Sequence, residues 1–482
     1  MPTPPSTSTA VNEGEKDPPH APATPTFLDV LEPDEHPQHL PTWRKWLIVI
    51  VISASSLCVT CASSLAAFAE NGVSTEFHVG HTVSVLSISL FVEGLGLGPL
   101  IVGPLSEVYG RNPIYRISYG LFFAFTWPVA FAPNIATFLI FRFITGFCGS
   151  AFLSVAGGSI SDLFSDSTVT NPMAFYTISP FLGPVVGPFI AGFINQHLNW
   201  RWTYYLVIIW SFGQFIALFF LVPETYVPVL QKAKARRFQL AGDVGEQKTQ
   251  NDGIGVLRAI IVSCYTPFKL LLLDRMALLL DIWTSLILGI LYLAFQAYPI
   301  IFQGGHGFNL QDTGLGFLGI GVGMVLGLLT QPYWNRFYKR TSVENGGVLP
   351  PEARLYMGQV GAICVPVGLF WLAFTTYPAV PWIVPVLASV PFGCGIYFVF
   401  TSTFTYLVTT YRPIAASAMA ANSAMRSTFA AVFPLFAGAM YAKLGTVGAT
   451  ALLAGLTTLM APLPFVFTRI GPRLRRQSRF AV

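Results

Sequence analysis

Gly98-Pro99-Leu100-Ile101-Val102-Gly103-Pro104-Leu105-Ser106-Glu107-Val108-Tyr109-Gly110-Arg111-Asn112-Pro113 joins two long apolar runs, and the way it is read decides the fold. Two helices that turn back on each other within a few residues need glycine where backbones crowd and where φ turns positive, which Gly103 and Gly110 can supply. A carboxylate and a guanidinium in such a turn, here Glu107 and Arg111, can dock on helix ends or on each other, forming a latch that opens when the helices rock. Alone, the cluster also reads as an ordinary polar turn. Its place between the second and third of a series of apolar runs argues for more.

Working outward, the 482-residue chain is 53% hydrophobic and only 10% charged, with a mean hydropathy of +0.60. That excludes a water-soluble globule of ordinary surface composition. Crossing roughly 30 Å of hydrocarbon takes about 20 apolar residues of helix, and twelve runs reach that length, from 45–69 to 447–468. A polar segment longer than any other loop divides them. The expected fold is an all-α polytopic membrane protein with twelve transmembrane helices in two six-helix halves, residues 44–223 and 276–469. Residues 224–275 form a cytosolic central loop, and 470–482 a basic cytosolic tail. Residues 1–43, rich in proline, serine and threonine and acidic on balance, bury too little apolar surface to fold and are expected to be a disordered tail. Within the central loop, Gly255 to Phe268 is apolar enough to lie along the membrane surface, and reads equally as a tether.

Lysine and arginine set the orientation. If the N-terminus is cytosolic, nearly all of them fall on the cytosolic side; only Arg201 and Lys443 lie opposite, and Arg142 and Arg426 lie inside spans. Both termini are therefore expected in the cytosol. The six cysteines read as small packing residues rather than disulfides. All seven histidines lie outside the predicted hydrocarbon core, none at metal-ligand spacing, so neither a metal nor any other cofactor is expected. No G-x-x-x-x-G-K-[ST] phosphate loop occurs, which leaves an ion gradient as the energy source for any pumping.

Three further stretches carry information. Span four holds Arg142-Phe-Ile-Thr-Gly146, and a buried arginine must face a partner or a wet cavity. Span five reads Ser179-Pro180-Phe181-Leu182-Gly183-Pro184-Val185-Val186-Gly187-Pro188. Pro180, Pro184 and Pro188 stack on one face beside a close-approach strip of Gly183 and Gly187, which ordinary helix packing does not readily explain. Trp200-Arg201-Trp202 and Pro223-Glu224-Thr225 bracket span six, the tryptophans reading as an interfacial aromatic belt.

With these motifs quoted, the chain resembles the major facilitator superfamily, and within it the fungal twelve-span drug:proton antiporters. The opening turn matches the G-x-x-x-D-[RK]-x-G-R loop of that family, with Glu107 in place of the usual Asp and Val108 in place of the usual basic residue. Arg142 and Gly146 match its R-x-x-x-G element, and span five looks like its G-P-x-x-G-P element. The second half echoes the opening turn faintly, Pro332 to Lys339 repeating the spacing without the acid or the glycine. The resemblance covers roughly residues 40 to 470.

What it implies is export of a small organic molecule in exchange for protons by alternating access, with no enzymatic activity. Uptake by a facilitator or proton symporter and a non-transporting receptor or sensor are the other readings. The inside latch would be Gly103, Glu107, Gly110 and Arg111, with Asp162 matching the acid paired to the loop arginine. Pro180, Gly183, Pro184, Gly187 and Pro188 would govern exchange. Proton-coupling candidates are Glu93, Arg142 and Asp281. Glu93 and Asp281 are the carboxylates read as lying well inside spans, and Glu93 has the alternative of a fixed pair with Arg142. Tyr292, Gln296, Tyr298, Asn422 and Arg426 are candidates for the substrate cavity. The expected partners are a small-molecule substrate, protons and membrane lipid, with no nucleic acid; the expected state is a monomer in the plasma membrane.

Overall fold

The computed structural model describes residues 36–165, 168–240, 265–347, 349–411 and 414–478. The tail up to residue 35, Cys264 and most of Gly255 to Phe268 lie outside the described residues. Among those described, ten helices are long and apolar enough to cross a membrane, from Thr42–Phe68 to Ala415–Arg476. The last is two spans, folded at Gly445, whose φ of 69° is a conformation that glycine adopts at least cost. Arg111–Ala130, with arginines in its first turns, packs against Ile135–Gly149 and Arg201–Leu221 as the third span. This makes the twelve that hydropathy predicts.

The helices break where their chemistry demands. Span one runs Thr42–Ser64, tightens into a 3-10 turn over Leu65–Phe68, and resumes as Glu70–Phe77. It therefore continues past the point at which its apolar run ends. Span seven, Arg275–Tyr298, widens into a π-turn over Pro299–Gln303, where Pro299 has no amide to donate. Span five, Thr170–His197, keeps its helix through all three prolines.

Both ends of the described chain lie on one face of the bundle, where Lys45 sits over the Phe164 ring at the end of span four and Ser478 hydrogen-bonds Asp274 at the start of span seven. That face is termed proximal and the other distal. Within the first half, span one packs on spans five and six; within the second, span seven packs on span eleven. The halves meet along a seam where span two lies on span eleven and span five on span eight. Asn335 donates to Asn171 across the seam near the proximal face (3.0 Å). At mid-depth Ser89 donates to the Ala431 carbonyl (2.6 Å), and the Phe181 and Phe400 rings stack 4.4 Å apart. Distally, the Leu310 amide donates to Gln196 (3.1 Å), and His197 meets Gln311 at 3.2 Å. The distal crossing of spans five and eight is made backbone to backbone, since a methyl on Gly314 would fall 2.5 Å from the Pro188 carbonyl and one on Gly192 2.9 Å from that of Leu310.

Candidate functional site

The opening turn is built as the spacing requires, with different partners. Gly110 has a φ of 99°, which turns the chain between spans two and three. Arg111, buried at the start of span three, donates Nε to Asp162 (3.3 Å) and Nη1 to Ser106 (2.7 Å), and its guanidinium lies 4.7 Å from the Tyr226 ring. The carboxylate on the helix end is Glu224, which accepts the amides of Arg111 (2.9 Å) and Asn112 (3.0 Å) together with those of Thr225 and Tyr226. An anion on the first amides of a helix stabilises it through both hydrogen bonds and the helix dipole. Two expectations are corrected. Glu107 is exposed and makes no hydrogen bond or ion pair among the described residues, and the amides of the helix end are taken by Glu224. Gly103 meets nothing where a Cβ would stand, so no close approach requires it. Every partner of Arg111 belongs to the first half or to the start of the central loop that leaves it, so the turn clamps that half and does not bolt the two together.

In span five the glycine strip faces span one. A methyl on Gly183 would fall within the Thr60 side chain and 2.8 Å from the Cys61 amide, and one on Gly187 within the Ser64 hydroxyl. Ser64 donates to the Gly183 carbonyl (3.1 Å) across this contact. Pro184 and Pro188 are buried and Pro180 is partly so. At the distal end, Trp200 is no interfacial anchor, unlike exposed Trp202. It is buried and donates Nε1 to Glu76 (2.7 Å), whose other oxygen takes Arg201 (2.5 Å). These bonds from Arg201 hold the Glu76 carboxyl below the usual carboxylate range and pin the end of span one to span six.

At mid-depth the predicted residues fall into two groups. Arg142, 2% exposed, donates to the carbonyls of Ser87 (2.8 Å) and Ala62 (3.0 Å) and lies 4.3 Å from the Phe91 ring. It does not pair with Glu93. Glu93 instead accepts from Thr428 of span eleven (3.2 Å), across the seam. In the second half Asn422 donates to Asp281 (2.8 Å) and to Thr284 (2.8 Å), so Asp281, 1% exposed, is tied within its own half. Arg426 lies one turn along from Asn422 with its guanidinium 4.9 Å from the Phe404 ring. Tyr292 reaches across the seam to Ser63 (2.9 Å). Tyr298 stands apart: it packs 4.4 Å from Phe317 in an aromatic cluster of the second half, away from these polar groups.

Gln296 reveals the residue that the sequence reading missed. Its amide donates to both oxygens of Glu70 (2.8 and 2.9 Å), and His81 approaches the same carboxylate at 3.4 Å. Glu70 is 4% exposed. The apolar run ends just before it, but the helix resumes there and carries it inward. The one signal available was the apolar spacing of Phe68, Val73 and Phe77 continuing around it. Among the described residues no group of three or more His, Cys, Asp or Glu stands where it could hold a metal ion.

With this geometry in place, the sequence model described as Major Facilitator Superfamily matches residues 51–427. The chain is 44% identical to "Efflux pump atB" of Aspergillus terreus, over 92% of this chain and 87% of that protein. It is 40% identical to "Probable drug/proton antiporter YHK8" of Saccharomyces cerevisiae, over 94% and 89% respectively. In fold it is similar to the proton:xylose symporter XylE bound to 6-bromo-6-deoxy-D-glucose, with a TM-score of 0.64 at 15% identity, covering 89% of this chain and 96% of that one.

Proposed function

The chain belongs to the Major Facilitator Superfamily and is an efflux transporter of small molecules, and we propose that it drives export by proton antiport, with Glu93 as the proton carrier. The supporting observation is the Glu93 to Thr428 hydrogen bond, in which a partly buried carboxylate of one half accepts from an exposed hydroxyl of the other along the seam. A carboxylate in that position changes the contact between the halves when it takes up or releases a proton. The proton equilibrium and the rocking equilibrium then share a free energy. Among the described residues Glu93 has no ion pair, so no counter-charge there holds it ionised.

In this reading the two six-helix halves, 44–223 and 276–469, rock about the seam. The proximal face with its arginine-rich helix ends is cytosolic, the membrane is the plasma membrane, and the working unit is a monomer. The named relatives, an efflux pump and a drug/proton antiporter, support the direction and the coupling ion.

Glu93→Gln keeps size and hydrogen bonding while removing the titration. In proteoliposomes with an imposed pH gradient, this variant is expected to lose uphill export and retain downhill exchange. Uphill pumping with unchanged pH dependence would assign coupling to another carboxylate, with Asp281 the next to test.

A further inference from the structure

We propose that the seam holds a binding site for an organic anion with an aromatic body, gripped by Arg142 from the first half and Arg426 from the second. This deepens the export reading by naming the class of cargo.

The two arginines are the buried cations of spans four and eleven, 2% and 7% exposed, and neither makes an ion pair among the described residues. Arg142 has neutral carbonyls on Nε and Nη1, and its Nη2 is buried with no acceptor. Arg426 donates no hydrogen bond among the described residues, and its Nε is likewise buried without an acceptor. Arg142 bonds the Ala62 carbonyl, whose neighbour Ser63 meets Tyr292 of the second half at 2.9 Å, and Arg426 lies 5.7 Å from the Phe181 ring of the first half, so both guanidiniums stand at the seam. A buried guanidinium nitrogen without an acceptor is costly, and an anion taking those donors removes the cost through charge-assisted hydrogen bonds.

The carboxylates nearby leave that role open. Asp281 makes no ion pair with Arg426 among the described residues; one of its oxygens takes Asn422, and a single charge cannot balance two guanidiniums. Glu93 meets Thr428, which is two residues from Arg426 and so on another face of span eleven. Glu70 is held one turn farther toward the distal face by Gln296 and His81.

The aromatic part of the inference comes from the rings. Arg426 lies 5.7, 5.5 and 4.9 Å from Phe181, Phe400 and Phe404. Phe181 belongs to the first half and stacks on Phe400 of the second at an interplanar angle of 23°. When the halves part, that stack must split and leave a ring on each wall beside the arginine. A planar aryl group entering there replaces one stacked contact with two.

The test uses the purified full-length chain at pH 7.5 with 2-naphthoate, its neutral amide 2-naphthamide, and 2-naphthylmethylammonium as probes. Naphthoate is expected to bind saturably, the amide at least about tenfold more weakly, and the ammonium not at all. Arg426→Gln should weaken naphthoate more than the amide and so narrow the gap between them, and Asp281→Asn should tighten naphthoate. Equal binding of acid and amide, or preference for the ammonium, overturns the proposal, as does unaltered naphthoate binding by a monodisperse Arg426→Gln. If that variant fails to fold, the three probes on the unaltered chain still decide. Binding is read without any gradient, so anion binding without outward flux would count against the export reading alone.

Discussion

The turn after span two and the turn after span eight occupy equivalent places in the two halves, and they are held in opposite ways. In the first, Arg111 is buried among Asp162, Ser106 and the Tyr226 ring, Gly110 takes a positive φ, and Glu224 seals the helix end, with no partner from the second half. In the second, the helix runs on without a break over Gln331–Glu344 and its basic residues turn outward. Arg340 and Glu344 pair there with side chains 83% and 59% exposed. What anchors this turn is neutral: Gln331 accepts from Tyr397 (2.9 Å) and donates to Asn335 (3.0 Å), and Asn335 reaches Asn171 of the other half. The ionic turn stiffens its own half, and the amide turn links the two. Charge buried in a fixed cluster resists separation, whereas a neutral hydrogen bond at a seam can be remade with water at small net cost.

The comparison can be broken most forcefully at Arg111. Arg111→Ala leaves Asp162 without its cation and is expected to destabilise the first half by about 2–3 kcal/mol. It should slow transport while cargo affinity stays nearly unchanged; melting of the purified chain and flux assays check both, and a large loss of binding in a well-inserted protein would refute the assignment. Next comes Gly110→Ala, which forces a side chain to a φ of 99° and places its methyl 2.5 Å from the Glu224 carboxylate. A cost of about 1–3 kcal/mol follows from the strained backbone, and thermal unfolding measures it.

In the second half, Asn335→Ala should cost at most about 1 kcal/mol, the net worth of an ordinary hydrogen bond. It should still raise the accessibility of the proximal seam to thiol reagents at an engineered cysteine, which Arg111→Ala should not do. Smallest of all is Arg340→Ala, expected within about 0.5 kcal/mol of the parent in the same melting assay, because an exposed i,i+4 pair contributes little.

The spans were legible because hydropathy is local: each residue's preference for lipid is written in its own side chain. The pairing of Arg111 with Asp162 was legible for a different reason, since the resemblance to the family implies it. Glu224 was not, because the amides it caps lie 112 and 113 residues earlier and only the packing of span six beside span three brings them together. Glu107 looked like the acid of the turn because it is near in sequence, yet distance along the chain does not rank partners once helices pack. Glu70 escaped because the end of an apolar run was taken as the end of the helix, and burial by neighbouring spans is not a property of the run itself. Arg142 and Arg426 were found as buried charges, but the rings that surround them, and the absence of any bond between Arg142 and Glu93, could be read only in three dimensions.

The crossing of spans five and eight at Gly192 and Gly314 has a mechanical consequence. Contact made by backbone atoms without intervening side chains cannot yield gradually, and dispersion attraction fades within about an ångström of separation. The distal closure should therefore behave as a detent, seated or unseated, with no stable partly open angle. Its release should respond little to ionic strength, which screens charges and leaves shape untouched. Bulk added at either glycine should then shorten the lifetime of the closed distal face without changing how far the halves swing once they part.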